Sequence, residues 1–240
     1  MKFSNFRLLF HHHDLAYISD SGGIWVTAGI GRWISEMSKY FGEIGLLFHE
    51  SSEHLKKQDY KVNESNIKLI SLGPPGRYFD HFVKINRIKH VCEQAGSHFE
   101  GLLIRGMTPE QSPVWQHTPV NNKAFLLVRS PKQKRLVNYK PLTILSALVN
   151  KQREKKFGNI VRGNSVIMAN SPLHVEELYN LYGIKAYFVP TNTIRINEFA
   201  SLTIRPLSSP LRLLFCGRIH SLKGVRELLD AFSSLRSHGL

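Results

Sequence analysis

Short apolar runs alternate along this chain with longer segments whose apolar positions recur every three or four residues. The runs at 6–10 (FRLLF), 44–48 (IGLLF), 67–72 (IKLISL), 101–104 (GLLI), 124–128 (AFLLV), 165–169 (SVIMA) and 186–189 (AYFV) predict buried strands. A helix is expected over 28–41, with Ile30, Trp33, Ile34 and Met37 on one face. Another is expected over 79–97, where Phe82, Ile85, Ile88 and Val91 repeat with a period near three, and a third over 142–156. Gly73, Pro74, Pro75 and Gly76 interrupt regular structure between strand and helix. Ser171 is the expected N-cap of a further helix, with Pro172 at its first position and Glu176 and Glu177 in its early turns. Strands that alternate with helices predict an α/β fold, a Rossmann-like parallel sheet covered on both faces.

The pattern breaks at 204–210 (IRPLSSP), where two prolines and two serines fall within seven residues, and then restarts. A strand at 211–216 (LRLLFC) is followed by a turn and a helix that places Val225, Leu228, Leu229, Phe232 and Leu235 on one face. The expected organisation is therefore a first domain over 1–203, a linker over 204–210, and the first β-α unit of a second Rossmann-like domain over 211–240. One strand and one helix bury no core alone, so the second domain is expected to continue beyond Leu240.

Composition places the chain among globular proteins, with 42% hydrophobic and 21% charged residues. Its formal net charge of +14 calls for an acidic partner: nucleic acid, an anionic membrane surface or a phosphorylated small molecule. The stretch 129–163 holds ten Lys and Arg against the single acid Glu154, which marks a solvated basic face or a surface for anionic lipid or a phosphorylated acceptor. Two cysteines, Cys92 and Cys216, stand far apart in apolar contexts, so a disulfide framework is not expected and the compartment reads as reducing cytoplasm. The apolar core of the N-terminus is too short for a signal peptide, and no run is long enough to span a bilayer, so any membrane contact would be peripheral.

Three features carry candidate chemistry. The first is Gly217-Arg218, four residues, then Lys223-Gly224 at the start of an amphipathic helix. Gly217 permits a sharp turn, Arg218 offers a planar fork of donors, and Lys223 adds charge where a helix N-terminus already favours an anion. A diphosphate leaving group calls for that arrangement, because negative charge builds on it as its bond breaks. The second is His11-His12-His13-Asp14 after the first strand; successive residues of an extended chain point to opposite sides and cannot all reach one ion. No metal is implied. The third is the pair Gly22-Gly23, which on its own signals only a turn. The Gly-x-Gly-x-x-Gly pattern of dinucleotide binding fails at Gly29-Ile30-Gly31, and no Gly-x4-Gly-Lys-Ser/Thr loop is present.

The string LLFCGRIHSLKGVRELLDAF resembles the start of the donor-binding domain of retaining GT-B glycosyltransferases of the family 4 type. The resemblance implies that Gly217, Arg218, Lys223 and Gly224 bind the donor diphosphate. It implies that Gly22 and Gly23, with His13 nearby, line the first loop on the acceptor side. The segment SVIMANSPLHVEELYNLYGIKAYFVPTNTI is similar to the last strand and helix of that family's first domain, with Pro190-Thr191-Asn192 where the family has Pro-Asn-Gly. The family's Glu-x7-Glu pair has no counterpart up to Leu240, and Arg129-Ser130-Pro131 replaces the loop in which many members carry a His, so no catalytic residue is carried over. The implied activity is sugar transfer from a nucleoside diphosphate sugar to a hydroxyl of a saccharide or lipid-linked acceptor, with retention and with no further cofactor. The 240-residue chain alone is expected to be inactive. The rival reading is a non-catalytic basic α/β protein that binds nucleic acid or an anionic membrane; no recognisable nucleic-acid motif accompanies it.

Overall fold

The computed structural model describes residues 3–75, 81–106, 110–128, 157–160, 162–163, 165–190 and 224–237. Contacts divide the chain into two compact units, Met1–Thr193 and Ile194–Leu240. The expected helix at 142–156, linker at 204–210 and strand at 211–216 lie outside the described residues, as do Arg129, Gly217, Arg218 and Lys223.

The first unit is α/β. Its strands are β1 (Phe3–Ile18), β2 (Ile24–Val26), β3 (Phe41–Glu50), β4 (Tyr60–Val62), β5 (Ile67–Ser71), β6 (Gly101–Arg105), β7 (Asn122–Leu127), β8 (Val166–Ala169) and β9 (Tyr187–Phe188). Its helices are α1 (Ala28–Ser38), α2 (His81–Gly96), α3 (Gln111–His117) and α4 (Pro172–Tyr182), with a helical stretch at 157–160. Seven strands pair in parallel in the order β5-β3-β1-β6-β7-β8-β9. β2 and β4 add a small antiparallel annex on the distal part of β1. This order is compatible with a Rossmann-like fold.

The apolar runs become strands because both sheet faces are covered, so consecutive side chains must all be apolar. In β3 every residue from Ile44 to His49 is buried. One face packs Leu9, Leu47, Leu102, Ile104, Phe125 and Leu127 against Ile88, Cys92 and Ala95 of α2, Val114 of α3 and Leu178 of α4. The other packs Leu8, Phe10, Leu46, Phe48 and Leu103 against Ile30 and Ile34 of α1, with Trp33 and Met37 half-buried beside them. The α1 face is thus the expected one. Among the described residues of α2 the buried apolar side chains are Ile88, Cys92 and Ala95, a stripe at helical spacing that includes the cysteine.

Four local expectations need correction. β1 does not stop at Phe10: it continues through the histidines to Ile18, because Leu15 and Ala16 pair with His49 and Glu50 after an irregularity in register. α1 ends at Ser38, and β3 starts at Phe41. Ser171 takes the extended N-cap conformation with Pro172 beside it, but its side chain makes no capping bond; its carbonyl accepts from His174 and Val175 instead. Glu176 and Glu177 fall beyond the first turn of α4, where a helix dipole acts weakly. The annex strands β2 and β4 and the helix α3 had no expectation at all.

Candidate functional site

In an open parallel sheet, ligands settle at the carboxyl ends of the strands, where the order of connection reverses. Here the chain winds outward from β1 to β3 to β5, then returns across β1 to begin β6 and winds the other way. The crevice between the ends of β1 and β6 is therefore the expected site. Leu8–His11 pair with Gly101–Ile104, so the next residues, His12 to Asp14 and Arg105, emerge together at this edge.

His11 and His12 point to opposite faces of β1, whereas His12 and His13, within the irregularity that separates the His11 and Leu15 pairings, keep their rings side by side. On the α3 side, His11 is fully buried and its Nδ1 lies 2.8 Å from the Leu47 carbonyl oxygen. A carbonyl only accepts, so Nδ1 carries the proton. Burial pushes the His11 pKa down to about 4, with the Leu47 bond and Glu110 opposing, so the ring is neutral near pH 7. Next to it, His49 of β3 donates from Nδ1 to the Gly73 carbonyl at 3.0 Å and turns Nε2 toward Glu110 Oε1, 3.7 Å away. Burial works against ionisation of Glu110, but the facing His49 imidazole, a backbone bond and the electrostatic influence of His49 and His11 together hold its carboxyl below the usual range. Gln111, the first residue of α3, is buried with its amide oxygen unpartnered.

On the α1 side the ring of His12 lies 6.4 Å from that of Phe10 and 4.1 Å from that of the exposed His13. Burial, then the neighbouring His13 and Arg105, push the His12 pKa down to about 2. Asp14 is buried and accepts the Thr27 hydroxyl at 2.5 Å. Arg105 ends β6, and its guanidinium carbon lies 5.3 Å from the centre of the Trp33 ring. Burial lowers the Arg105 pKa, and Asp14 opposes that. Among the described residues the edge thus offers the Arg105 guanidinium, which can bind an oxyanion, and the imidazole of His12 with the carboxylates of Asp14 and Glu110, which can orient hydroxyls.

The residues singled out from sequence are only partly gathered here. His13 sits at the crevice. Gly22 and Gly23 stand farther out, in the turn of the β1–β2 hairpin, where Gly22 takes φ +78° and donates to the Ser19 carbonyl at 2.7 Å. A left-handed φ is the reason for glycine at position 22. Gly224 takes φ +64° just before helix α5 (Val225–Ser237), and its carbonyl accepts from Leu228. The helix carries Leu228, Leu229, Phe232 and Leu235 exposed. Sequence reasoning passed over Arg105, His49, Glu110 and Trp33. A usable signal existed for two of them: Arg105 and His49 are the first polar residues after the apolar runs of two central strands.

Among the described residues, no three His, Cys, Asp or Glu converge as a metal site would require. A cavity of about 440 Å³ opens at the opposite, amino edge of the sheet, beside Gly101, Asn122 and Lys123. Its lysine is already engaged: Nζ donates to the Trp115 carbonyl at 2.5 Å and lies 5.6 Å from that ring's centre. A second cavity, of about 510 Å³, lies beside Ile70, Gln94 and His98; neither gathers a cation, imidazoles and carboxylates as the carboxyl edge does, and that edge is the stronger candidate. No model of a known protein family matches the chain, and no curated protein matches it in sequence.

Proposed function

We propose that this chain forms the acceptor-side half, and the opening of the donor-side half, of a retaining glycosyltransferase that uses a nucleoside diphosphate sugar. The observation that carries the reading is the grouping of His12, His13, Asp14 and Arg105 at the β1/β6 switch point, in a chain whose 213–232 segment resembles the donor domain of that family. α5 supports it, since the amphipathic stretch after Gly224 is helical as the resemblance requires.

In the proposed reaction the bond between the sugar's anomeric carbon and the diphosphate oxygen breaks, and its electron pair leaves with the nucleoside diphosphate. The acceptor hydroxyl oxygen bonds to the same face of that carbon and gives its proton to the departing phosphate oxygen. Arg218 and Lys223 neutralise the charge that builds there. The neutral imidazole of His12 orients the acceptor without competing for the proton, and the buried His11 braces β1 through its bond to the Leu47 carbonyl. Gly22 and Gly23 shape the β1–β2 hairpin turn on the acceptor side. The basic stretch at 129–163 would hold the enzyme on an anionic membrane surface that presents a lipid-linked acceptor.

The test is nucleoside diphosphate release from a panel of nucleotide sugars by the native protein and by its Arg218→Ala variant. Loss of that guanidinium costs about 3 kcal/mol in transition-state binding, a fall of roughly two orders of magnitude in turnover. Turnover close to that of the parent would remove the assignment.

A further inference from the structure

We propose that Arg105 is an oxyanion-binding residue, and that the ligand held at the β1/β6 crevice carries a phosphate or a carboxylate. The guanidinium is placed as a receptor for such a group. The Trp33 ring lies 5.3 Å from its central carbon and packs against the cation. The Arg105 Nε is buried and meets no hydrogen-bond acceptor. A donor in that position is costly to leave unmade, so the arrangement anticipates an acceptor that arrives with a ligand.

The nearest carboxylate does not fill the role. Asp14 attracts Arg105 electrostatically, but its Oδ2 already takes the Thr27 hydroxyl at 2.5 Å and the Thr27 amide at 3.4 Å. Asp14 therefore steadies the cation without capping its fork of donors. Burial keeps the neighbouring His12 neutral, so among the described residues packed around it the fixed positive charge is that of Arg105. A planar fork of five donors suits the paired oxygens of a phosphate or carboxylate, and a lysine ammonium would not reproduce it.

That the anion belongs to the sugar acceptor rests on the transferase reading; the oxyanion site itself does not. Binding is therefore tested without sugar transfer, on the full chain with inorganic pyrophosphate, inorganic phosphate and glucuronate at constant ionic strength. The Arg105 Nε–H resonance is followed by nuclear magnetic resonance, and affinity by calorimetry. The Arg105 signal should shift and saturate, and Arg105→Met should weaken binding at least about tenfold, with Arg105→Lys between the two. Saturation by the phosphates alone assigns a phosphorylated ligand, and by glucuronate alone an acidic sugar. The proposal is overturned if the resonance stays still throughout, or if a folded Arg105→Met variant binds as tightly as the parent. The resonance is read on the unaltered chain, so the test survives a variant that fails to fold. A failure here leaves the Arg218 result standing, and the reverse also holds.

Discussion

Asp14 and Thr27 are joined twice, by the Thr27 hydroxyl at 2.5 Å and its amide at 3.4 Å, both to Asp14 Oδ2. Thr27 is the N-cap of α1, yet its side chain caps nothing in its own helix; it reaches back to the strand instead. Asp59 takes up the orphan donor, accepting the Ala28 amide at 2.8 Å. The bond thus ties the start of α1 to β1. A buried hydrogen bond to a carboxylate contributes on the order of 2 kcal/mol. Thr27→Val should lower the unfolding free energy in urea by about that much, and Thr27→Ser should restore most of it. A loss below about 0.5 kcal/mol would show that the contact contributes little.

The buried histidine makes stability fall in acid. The His11 pKa is depressed to about 4 in the folded chain, against 6.5 when unfolded. The unfolded state therefore binds the extra proton first, and the stability present above pH 6.5 is lost as pH falls toward 4. The loss is up to roughly 3 kcal/mol. Unfolding free energy measured across that range should fall more steeply in the parent than in His11→Leu, whose remaining slope comes from His12, also depressed by burial. An equal slope in both would place the acid sensitivity elsewhere.

Two glycines in α1 should respond to alanine with opposite signs. At Gly31 a Cβ would run into the Tyr60 ring, whose hydroxyl is fixed by Ser35 at 2.8 Å. At Gly29 a Cβ meets nothing within 4 Å. Gly29→Ala should therefore stabilise by about 0.5–1 kcal/mol through helix propensity. Gly31→Ala should destabilise by about 1–3 kcal/mol through overpacking. Thermal unfolding of the two variants checks this, and equal shifts would contradict the tight approach of Tyr60.

Cys92 is fully buried in the α2 core, and burial pushes its thiol up to about 11, with a Thr118 bond opposing. The thiolate is the reactive form, so native chain treated with iodoacetamide near neutral pH should yield an unmodified Cys92 peptide by mass spectrometry. In denaturing urea the same peptide should be labelled. Labelling under native conditions would mean that α2 opens readily.

The sheet was legible because its strands carry an unambiguous signal: IGLLF, GLLI and AFLLV are too apolar to lie anywhere but between two covered faces. The polar half of β1 was not. His11, His12, His13 and Asp14 look like a loop, and only pairing with β3 and the β1–β2 hairpin makes them strand. β2 and β4, at three residues each, are held by their partners and have too few positions to show a period. α3 carries Pro113 within seven residues, which masks its helical pattern. The site was half visible. His13 could be named because it sits in a run of histidines, whereas Arg105, His49 and Glu110 come from distant segments that meet only through strand order.

The three consecutive histidines have a consequence for how the strand tolerates error. A one-residue slip in a strand exchanges its inward and outward side chains. Deletion of one histidine would still leave an imidazole at both positions 11 and 12, one on each face. The residue displaced would be the carboxylate, moved from the buried position 14 against Thr27 to the exposed position 13. The repetition therefore insures the imidazoles against misregister and leaves Asp14 as the residue that distinguishes the correct alignment from its neighbour.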